Sequence, residues 1–370
     1  MAQSIAGWAG NHREESMKLR SLSACFVALA GFAVSMDAMP GHTATQKPYL
    51  IYLSNNFVGN DWRQQMERVA NVAVNKGPLK GRVDLKIENA ENTVQAQINS
   101  LNNIIRQKPA AILIDASSAE ALNPTIKKAC DAGIIVVSFD QTVSAECAYK
   151  LHSDFDIMAN NQAEWMASIL GGKGKVLMDR GLAGAPISEQ FEKNFGTVLK
   201  KYPGIEIVGY FNGNYAAGPE QEGVASLLAA HPEVDGIFSQ GYGTGAIKAL
   251  QNADRPMVPV VAAAFNGTGV TCAETKGAKC WLGANPPSLS AEAIKLAVDI
   301  LDTGKKPAVT TVLFNSPGLT TDMVDAKYAP NSSAVKIELG KTVFPDLAPG
   351  LSLPVSPSWV EITPKEASGT

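Results

Sequence analysis

AAILIDASSAEALNPTIKKACDAGIIVVSFDQ, residues 110 to 141, carries the pattern that decides the fold. Two short apolar runs, AAILI (110–114) and IIVVSF (134–139), flank an amphipathic segment from Ala119 to Ala132, and an aspartate follows each run, Asp115 and Asp140. Runs that are continuously apolar, rather than alternating, suit strands covered on both faces, and such strands belong to parallel sheets packed between helices. The unit is strand, crossover helix, strand, and its repetition predicts an α/β chain.

The unit recurs on both sides. Strand-like runs are YLIYL (49–53), VDLKI (83–87), KVLM (175–178), IEIVGYF (205–211), GIFS (236–239) and VPVVAAAF (258–265). Helical patterns separate them at 62–74, 93–106, 157–170, 189–201, 219–230, 244–252 and 290–301. A chain of 370 residues with 45% hydrophobic content exceeds the roughly 250–300 residues at which a single core stops growing. Two doubly wound parallel-sheet lobes are therefore expected, with a break near Lys150 to Asp154. The tail carries Pro330, Pro345, Pro349, Pro354, Pro357 and Pro364, which cannot continue a helix or occupy a central strand. It is expected to run over the surface as an extended strap, residues 321–370.

The amino terminus reads as an export signal. From Met17, Met-Lys-Leu-Arg-Ser precedes LSACFVALAGFAVS, a positive segment before a short apolar run. That run is shorter than the about 20 residues a spanning helix needs. Translation is expected to start at Met17, with cleavage after Ala38 or Ala44 inside a signal region covering 1–44. Leu22-Ser23-Ala24-Cys25 resembles a lipid-attachment box, but its apolar run follows Cys25 instead of preceding it, so lipidation there is not expected. A net charge of -3 gives no footprint for nucleic acid or an anionic membrane. The mature chain keeps Cys130, Cys147, Cys272 and Cys280, an even number in an exported protein. Their spacing favours two local disulfides, Cys130–Cys147 and Cys272–Cys280. No CxxC or HxxxH occurs, and no metal or cofactor is expected.

Ligands of open parallel sheets bind at the carboxyl ends of strands where strand order reverses. The residues after the apolar runs are Ser54 with Asn55 and Asn56, Glu88 with Asn89, Asp115, Asp140 with Gln141, Asp179, Asn212, Gln240 and Asn266. Asp and Asn also favour turns and helix caps, but no helix obviously begins at Asp140. No GxGxxG, GxxxxGK[ST] or GxSxG is present. GYGTG (241–245) opens a helix and could hold an anion there, although a tight strand-to-helix turn explains its glycines more simply. Enzyme chemistry has no motif to support it.

VVSFDQ, SDF before a helix, HPEVDGIFSQGYGTGAIKAL and AAAFNGTG, in this order behind a signal, resemble the type I periplasmic binding proteins of the ribose and galactose group, which deliver sugars to ABC importers. The likeness covers about residues 48–316. LacI-type repressors share AHPEVDGIF and GAIKAL, but carry a DNA-binding segment where this chain has its signal. The resemblance implies an N-terminal lobe of 48–151 plus 285–313 and a C-terminal lobe of 152–284 plus 314–320. It also implies a hinge of three crossings, near 150–154, 282–286 and 313–316. It implies a monomeric binder, without enzymatic activity, that closes on a sugar or polyol and is read by an ABC permease and its ATPase. A receptor of the same fold for a non-sugar signal, coupled to a sensor kinase, is the alternative. Carried over residue by residue, the ligand set is Ser54, Asn60, Asp61, Trp62, Asp115, Asp140 and Gln141 in the first lobe, with Glu189, Tyr215, Gln240, Asn266 and Asn285 completing it. Gln141 and Glu189 stand where ribose binders have arginine, Asn266 where they have aspartate, and Gly241 where asparagine is common. The ribose pattern is therefore not reproduced, and more room is expected beside Gly241. The calcium loop of the galactose branch is absent.

Overall fold

The apolar runs assemble into two separate sheets. The computed structural model describes residues 47–183, 186–307, 310–314, 318–323 and 334–369. The export signal, with Cys25, Ala38 and Ala44, lies outside the described residues. One sheet contains β1 (Tyr49–Asn55), β2 (Val83–Asn89), β3 (Ala111–Asp115), β4 (Ile135–Phe139), β5 (Tyr149–Ser153) and β11 (Thr311–Phe314). Its order is β11-β5-β4-β3-β1-β2, and every pairing is parallel. The other contains β6 (Lys173–Asp179), β7 (Gly204–Phe211), β8 (Gly236–Phe238), β9 (Val260–Ala263), β10 (Cys280–Gly283), β12 (Gly318–Thr320) and β13 (Ala334–Lys336). Its order is β13-β12-β10-β9-β8-β6-β7, parallel except where β12 meets β10.

The crossovers are α1 (Asp61–Asn75), α2 (Val94–Arg106), α3 (Asn123–Asp131), α4 (Phe155–Ile169), α5 (Pro186–Leu199), α6 (Ala217–Ala230), α7 (Thr244–Asn252), α8 (Asn266–Glu274) and α9 (Leu289–Thr303). Strand centres are dry: Ile51, Leu53, Leu113, Val137 and Phe139 are fully buried in one lobe, Leu177, Ile237 and Phe238 in the other. α3 starts four residues later than the pattern from Ala119 suggests. Pro124 sits in its first turn, where a missing N–H costs nothing, and Leu122 precedes it without a side-chain cap. β5 falls where the sequence reading placed a lobe boundary. Its YKLHS alternates buried and partly buried positions, so it lacks the continuous apolar run of its neighbours.

Strand order reverses between β1 and β3 in the first sheet and between β6 and β8 in the second. Asn55 and Asp115 end the first pair of strands; Asp179 ends β6, and Ser239 follows β8. These are the positions at which such sheets receive ligands. The chain passes between sheets after Ser153, after Gly283 and after Phe314. Cys130 at the end of α3 is bonded to Cys147 ahead of β5, and Cys272 of α8 to Cys280 of β10. In the tail, β13 extends the edge of the second sheet. A last helix, α10 (Pro364–Ser368), begins at a proline and is closed by a Thr363/Glu366 capping box. The tail prolines thus permit an edge strand and a helix start.

Candidate functional site

The first wall is built around a buried arginine. Asn60 caps α1 by accepting from the backbone N–H of Arg63 at 2.9 Å, and one turn in, Arg63 is only 2% exposed. Its Nη1 lies 2.7 Å from Asp115 Oδ2 and its Nη2 donates to Oδ1 at 3.2 Å. Nη1 also donates to Asn55 Oδ1, and the guanidinium lies over the Phe57 ring, 4.7 Å from its centroid. Burial pushes the Asp115 carboxyl well above its usual range, and the Arg63 charge pulls against that shift. Gln141 fits between with its amide nitrogen 3.1 Å from Ala116 O and its oxygen 3.0 Å from Arg63 Nη2.

Asp140 follows β4 in a left-handed conformation, φ 54°, which aspartate tolerates better than most residues. Its N–H donates to Leu151 O at 2.9 Å, and Oδ1 accepts from Asn285 Nδ2 at 2.9 Å. Asn285 also accepts from Ser153 Oγ at 2.7 Å, and its backbone oxygen accepts from Trp62 Nε1 at 2.8 Å. One residue in the crossing between β10 and α9 therefore holds the exits of β4 and β5 through its side-chain amide and the start of α1 through its backbone carbonyl. Burial raises the Asp140 carboxyl; Arg63, Asn285 and His152 oppose it.

The second wall centres on Tyr215 and Gln240. Asp179 accepts from the N–H groups of Gly181 and Gly213, both at 2.7 Å, and of Gln240 at 3.1 Å. It knits three loops together rather than facing outward. Gln240 Nε2 donates to Asp179 O at 2.9 Å and to Ser188 O at 3.2 Å. Ser188 Oγ and Tyr215 Oη are 2.5 Å apart, and Tyr215 adopts φ 51°. Burial raises the Tyr215 hydroxyl, Ser188 opposes, and the charges of Asp179 and Asp140 raise it further. Tyr215 of the second lobe thus lies within electrostatic reach of Asp140 of the first.

The structure brings together Trp62, Asp115, Asp140, Gln141 and Asn285 in the first lobe, and gathers Tyr215 and Gln240 about Ser188 in the second. The five other candidates stand apart from these groups. Ser54 is buried against Gln97 at 3.4 Å, Asn60 serves as the cap of α1, and Glu189 is exposed on α5. The Asn266 amide exchanges bonds with Phe344, 2.8 Å to its oxygen and 2.7 Å from its N–H. Asp61 abuts Gly350, where a Cβ would overlap its carboxylate. A Cβ on Gly241 would meet the Tyr215 backbone at 3.4 Å, an ordinary contact. Arg63 escaped the sequence reading.

The glycine run 241–245 also resolves. Gly243 has φ 67°, and a Cβ on it would lie 2.6 Å from that of Ala262. The helix N-terminus is taken up by an internal carboxyl: Glu220 accepts from the N–H groups of Gly243 at 3.0 Å and Gly245 at 3.2 Å. Burial pushes its carboxyl up to about 7.

Residues 51–306 match the family described as periplasmic binding protein domain. The chain is 26% identical to a xylitol-binding protein of Mycolicibacterium smegmatis over 48% of its own length and 52% of the relative's. The match thus spans about half of that protein. It is 21% identical to the ribose import binding protein of Bacillus subtilis, over 73% of this chain and 87% of the other. Among solved structures, an ABC transporter solute binding protein from Thermobispora bispora superimposes with a TM-score of 0.63 at 28% identity, covering 76% of this chain and 87% of that one.

Replacing Arg63 by leucine leaves Asp115 buried without its counter-charge. Denaturant unfolding should show a loss of about 3–5 kcal/mol, part of it recovered when Asp115 is also made leucine. A loss below about 1 kcal/mol would mean the pair is incidental. Glu220 gives a signed pH dependence. Its folded value is about 7 against an ordinary 4.5, so the folded state holds a proton that the unfolded state has released. Its contribution is complete below pH 4.5 and is lost as pH rises through about 7, by at most about 3 kcal/mol. Melting temperature followed against pH should fall over this window, and Glu220→Gln should remove that slope; an unchanged slope contradicts the assignment.

Proposed function

The chain belongs to the periplasmic binding protein domain family, and from that premise we propose that it is an exported solute receptor holding one sugar or polyol between its two lobes. The observation that carries this most is that polar and aromatic side chains collect at the strand exits of both lobes, Asp140 hydrogen-bonded to Asn285 in the first and Tyr215 to Ser188 in the second. Two buried amide oxygens add to it: Asn56 Oδ1, just past β1, and Gln240 Oε1, just past β8, have no hydrogen-bond partner among the described residues. Buried acceptors of that kind are costly unless something donates to them, and ligand hydroxyls are donors of the right chemistry.

In this scheme Asp140 accepts from a pair of hydroxyls with the oxygen that Asn285 leaves free. Gln141, which replaces an arginine of ribose binders, lies beside it and is held by Arg63. Tyr215 and Trp62 present aromatic surface to the C–H side of the ligand. Closure brings the walls together about the three crossings. Delivery to an ABC permease and its ATPase follows from the same premise, as does action in the periplasm as a monomer without turnover of the ligand. The xylitol and ribose binders among the relatives favour a small polyhydroxylated solute over a charged one.

A thermal-shift screen of sugars and polyols tests the proposal. A true ligand at about 100 times its Kd adds roughly 2.7 kcal/mol of stability; absence of a shift with any carbohydrate sinks it. With the ligand found, Asp140→Ala should weaken binding about 10- to 100-fold by titration calorimetry, the worth of hydrogen bonds to a charged group. Unchanged affinity would reduce Asp140 to a turn residue.

A further inference from the structure

The tail is joined to both lobes at once over a stretch of five residues. On one side, Pro349 O accepts from Gly267 N at 2.8 Å, Leu351 O from Asn266 N at 2.7 Å, and Leu353 N donates to Ala264 O at 2.9 Å. All three partners lie between β9 and the first turn of α8, in the second lobe. On the other side, Ser352 exchanges two bonds with the Gln65 amide of α1: its N–H donates to Oε1 at 2.7 Å and its C=O accepts from Nε2 at 2.9 Å. Gln65 is fully buried. Gly350 approaches Asp61 so closely that only glycine fits. This segment is wedged between the start of α1 and the start of α8.

Both ends of the wedge are fixed. Upstream, β13 is hydrogen-bonded into the second sheet, Val343 is fully buried, and the Asn266 amide grips Phe344. Downstream the chain is anchored on the first lobe. Ser358 N donates to Glu292 Oε1 at 2.6 Å, Arg68 Nε to Ala367 O at 2.9 Å, and Lys76 pairs with Glu366 at 2.6 Å. Ile362 and Ala367 are buried, and Trp359 packs against the first-lobe core and against a cluster that runs from α1 through the tail into the second lobe. A tail that merely shielded apolar surface could lie on one lobe. Here the lobes cannot separate without breaking the Gln65–Ser352 pair or pulling the end from its anchors.

We propose that residues 349–369 are a fourth tether between the lobes, which limits their opening and slows ligand exchange. The three crossings permit rotation; the tether sets how far it goes. A receptor held near its binding-competent form loses less affinity to reorganisation. The effect on exchange rests on the proposed closure around a ligand, whereas the effect on opening is measurable with no ligand present.

Spin labels attached through non-cysteine chemistry at the exposed positions Glu120 and Leu182, one on each lobe, read the separation in the ligand-free protein. Two variants free the tether: Gln65→Ala/Lys76→Ala/Glu292→Ala in the full chain, and Gln65→Ala in a chain ending at Val355, with circular dichroism confirming the fold of each. The first keeps Ile362 and Ala367 in place, so it remains informative if the shortened chain fails to fold. The wild type should give one narrow distance distribution near the separation in this structure, and the variants broader distributions at longer distances. For any carbohydrate found by thermal shift, release should be about tenfold faster from the variants, the change appearing in the off-rate. Variant distributions that superimpose on the wild type, or a wild type already broad, overturn the tether. Widened distributions in a protein that binds no carbohydrate would sustain the tether and remove the sugar reading alone.

Discussion

The ion pair between Arg63 and Asp115 is the contact on which the rest of the first wall depends. A guanidinium 2% exposed and a fully buried carboxylate are costly to dehydrate, and they persist only because each is paired and hydrogen-bonded. The geometry spends nearly every valence: Asn55 and Phe57 come from the exit of β1, Asp115 from β3, Gln141 from beyond β4 and Arg63 from α1. Four elements are thereby fixed relative to one another at the point where strand order reverses. Asp140 inherits that order through its proximity to Arg63 and through Asn285, which ties it to the crossing into α9.

The two lobes solve the same problem with different chemistry. Parallel strands end in loops whose amides must find partners, and water is excluded from much of the exit region. In the second lobe a carboxylate without a cationic partner does this work. Asp179 gathers three backbone N–H groups, and Glu220 gathers two more at the start of α7. Burial raises both carboxyls. Among the described residues at the strand exits, the groups left over once these internal demands are met include the second oxygen of Asp140, the rings of Tyr215 and Trp62, and the amide oxygens of Asn56 and Gln240. A ligand with several hydroxyls and no net charge suits such a remainder.

The fold was legible because continuous apolar runs identify strands buried on both faces, and eight of them separated by amphipathic segments leave little choice of architecture. β5 and β10 were harder to see: YKLHS alternates, and CWLG is four residues long. Asp140 was legible as a candidate, because a carboxylate follows a strand there and no helix needs a cap. Arg63 was not legible, although a signal existed. Arg63 falls on the buried stripe of α1 with Met66, Ala70 and Ala73, and Glu220 on that of α6 with Val224 and Leu228. A charge at an apolar position of a helical repeat marks a buried ionic contact, and reading only strand exits passes over it. Asn266 shows the converse. Its position matched a binding residue, but the partner that took its amide, Phe344, lies 78 residues away in a tail whose path no local pattern discloses.

The proposed sharing of one ligand between Asp140 of the first lobe and Tyr215 of the second is the centre of this account. A crystal structure of the mature protein with a carbohydrate bound measures it directly. The account requires a ligand hydroxyl within hydrogen-bond distance of the Asp140 carboxylate, and the ring or carbon chain of that ligand in contact with Tyr215 or Trp62. A ligand seated away from the strand exits, with Asp140 bonded to Asn285 alone, would contradict it.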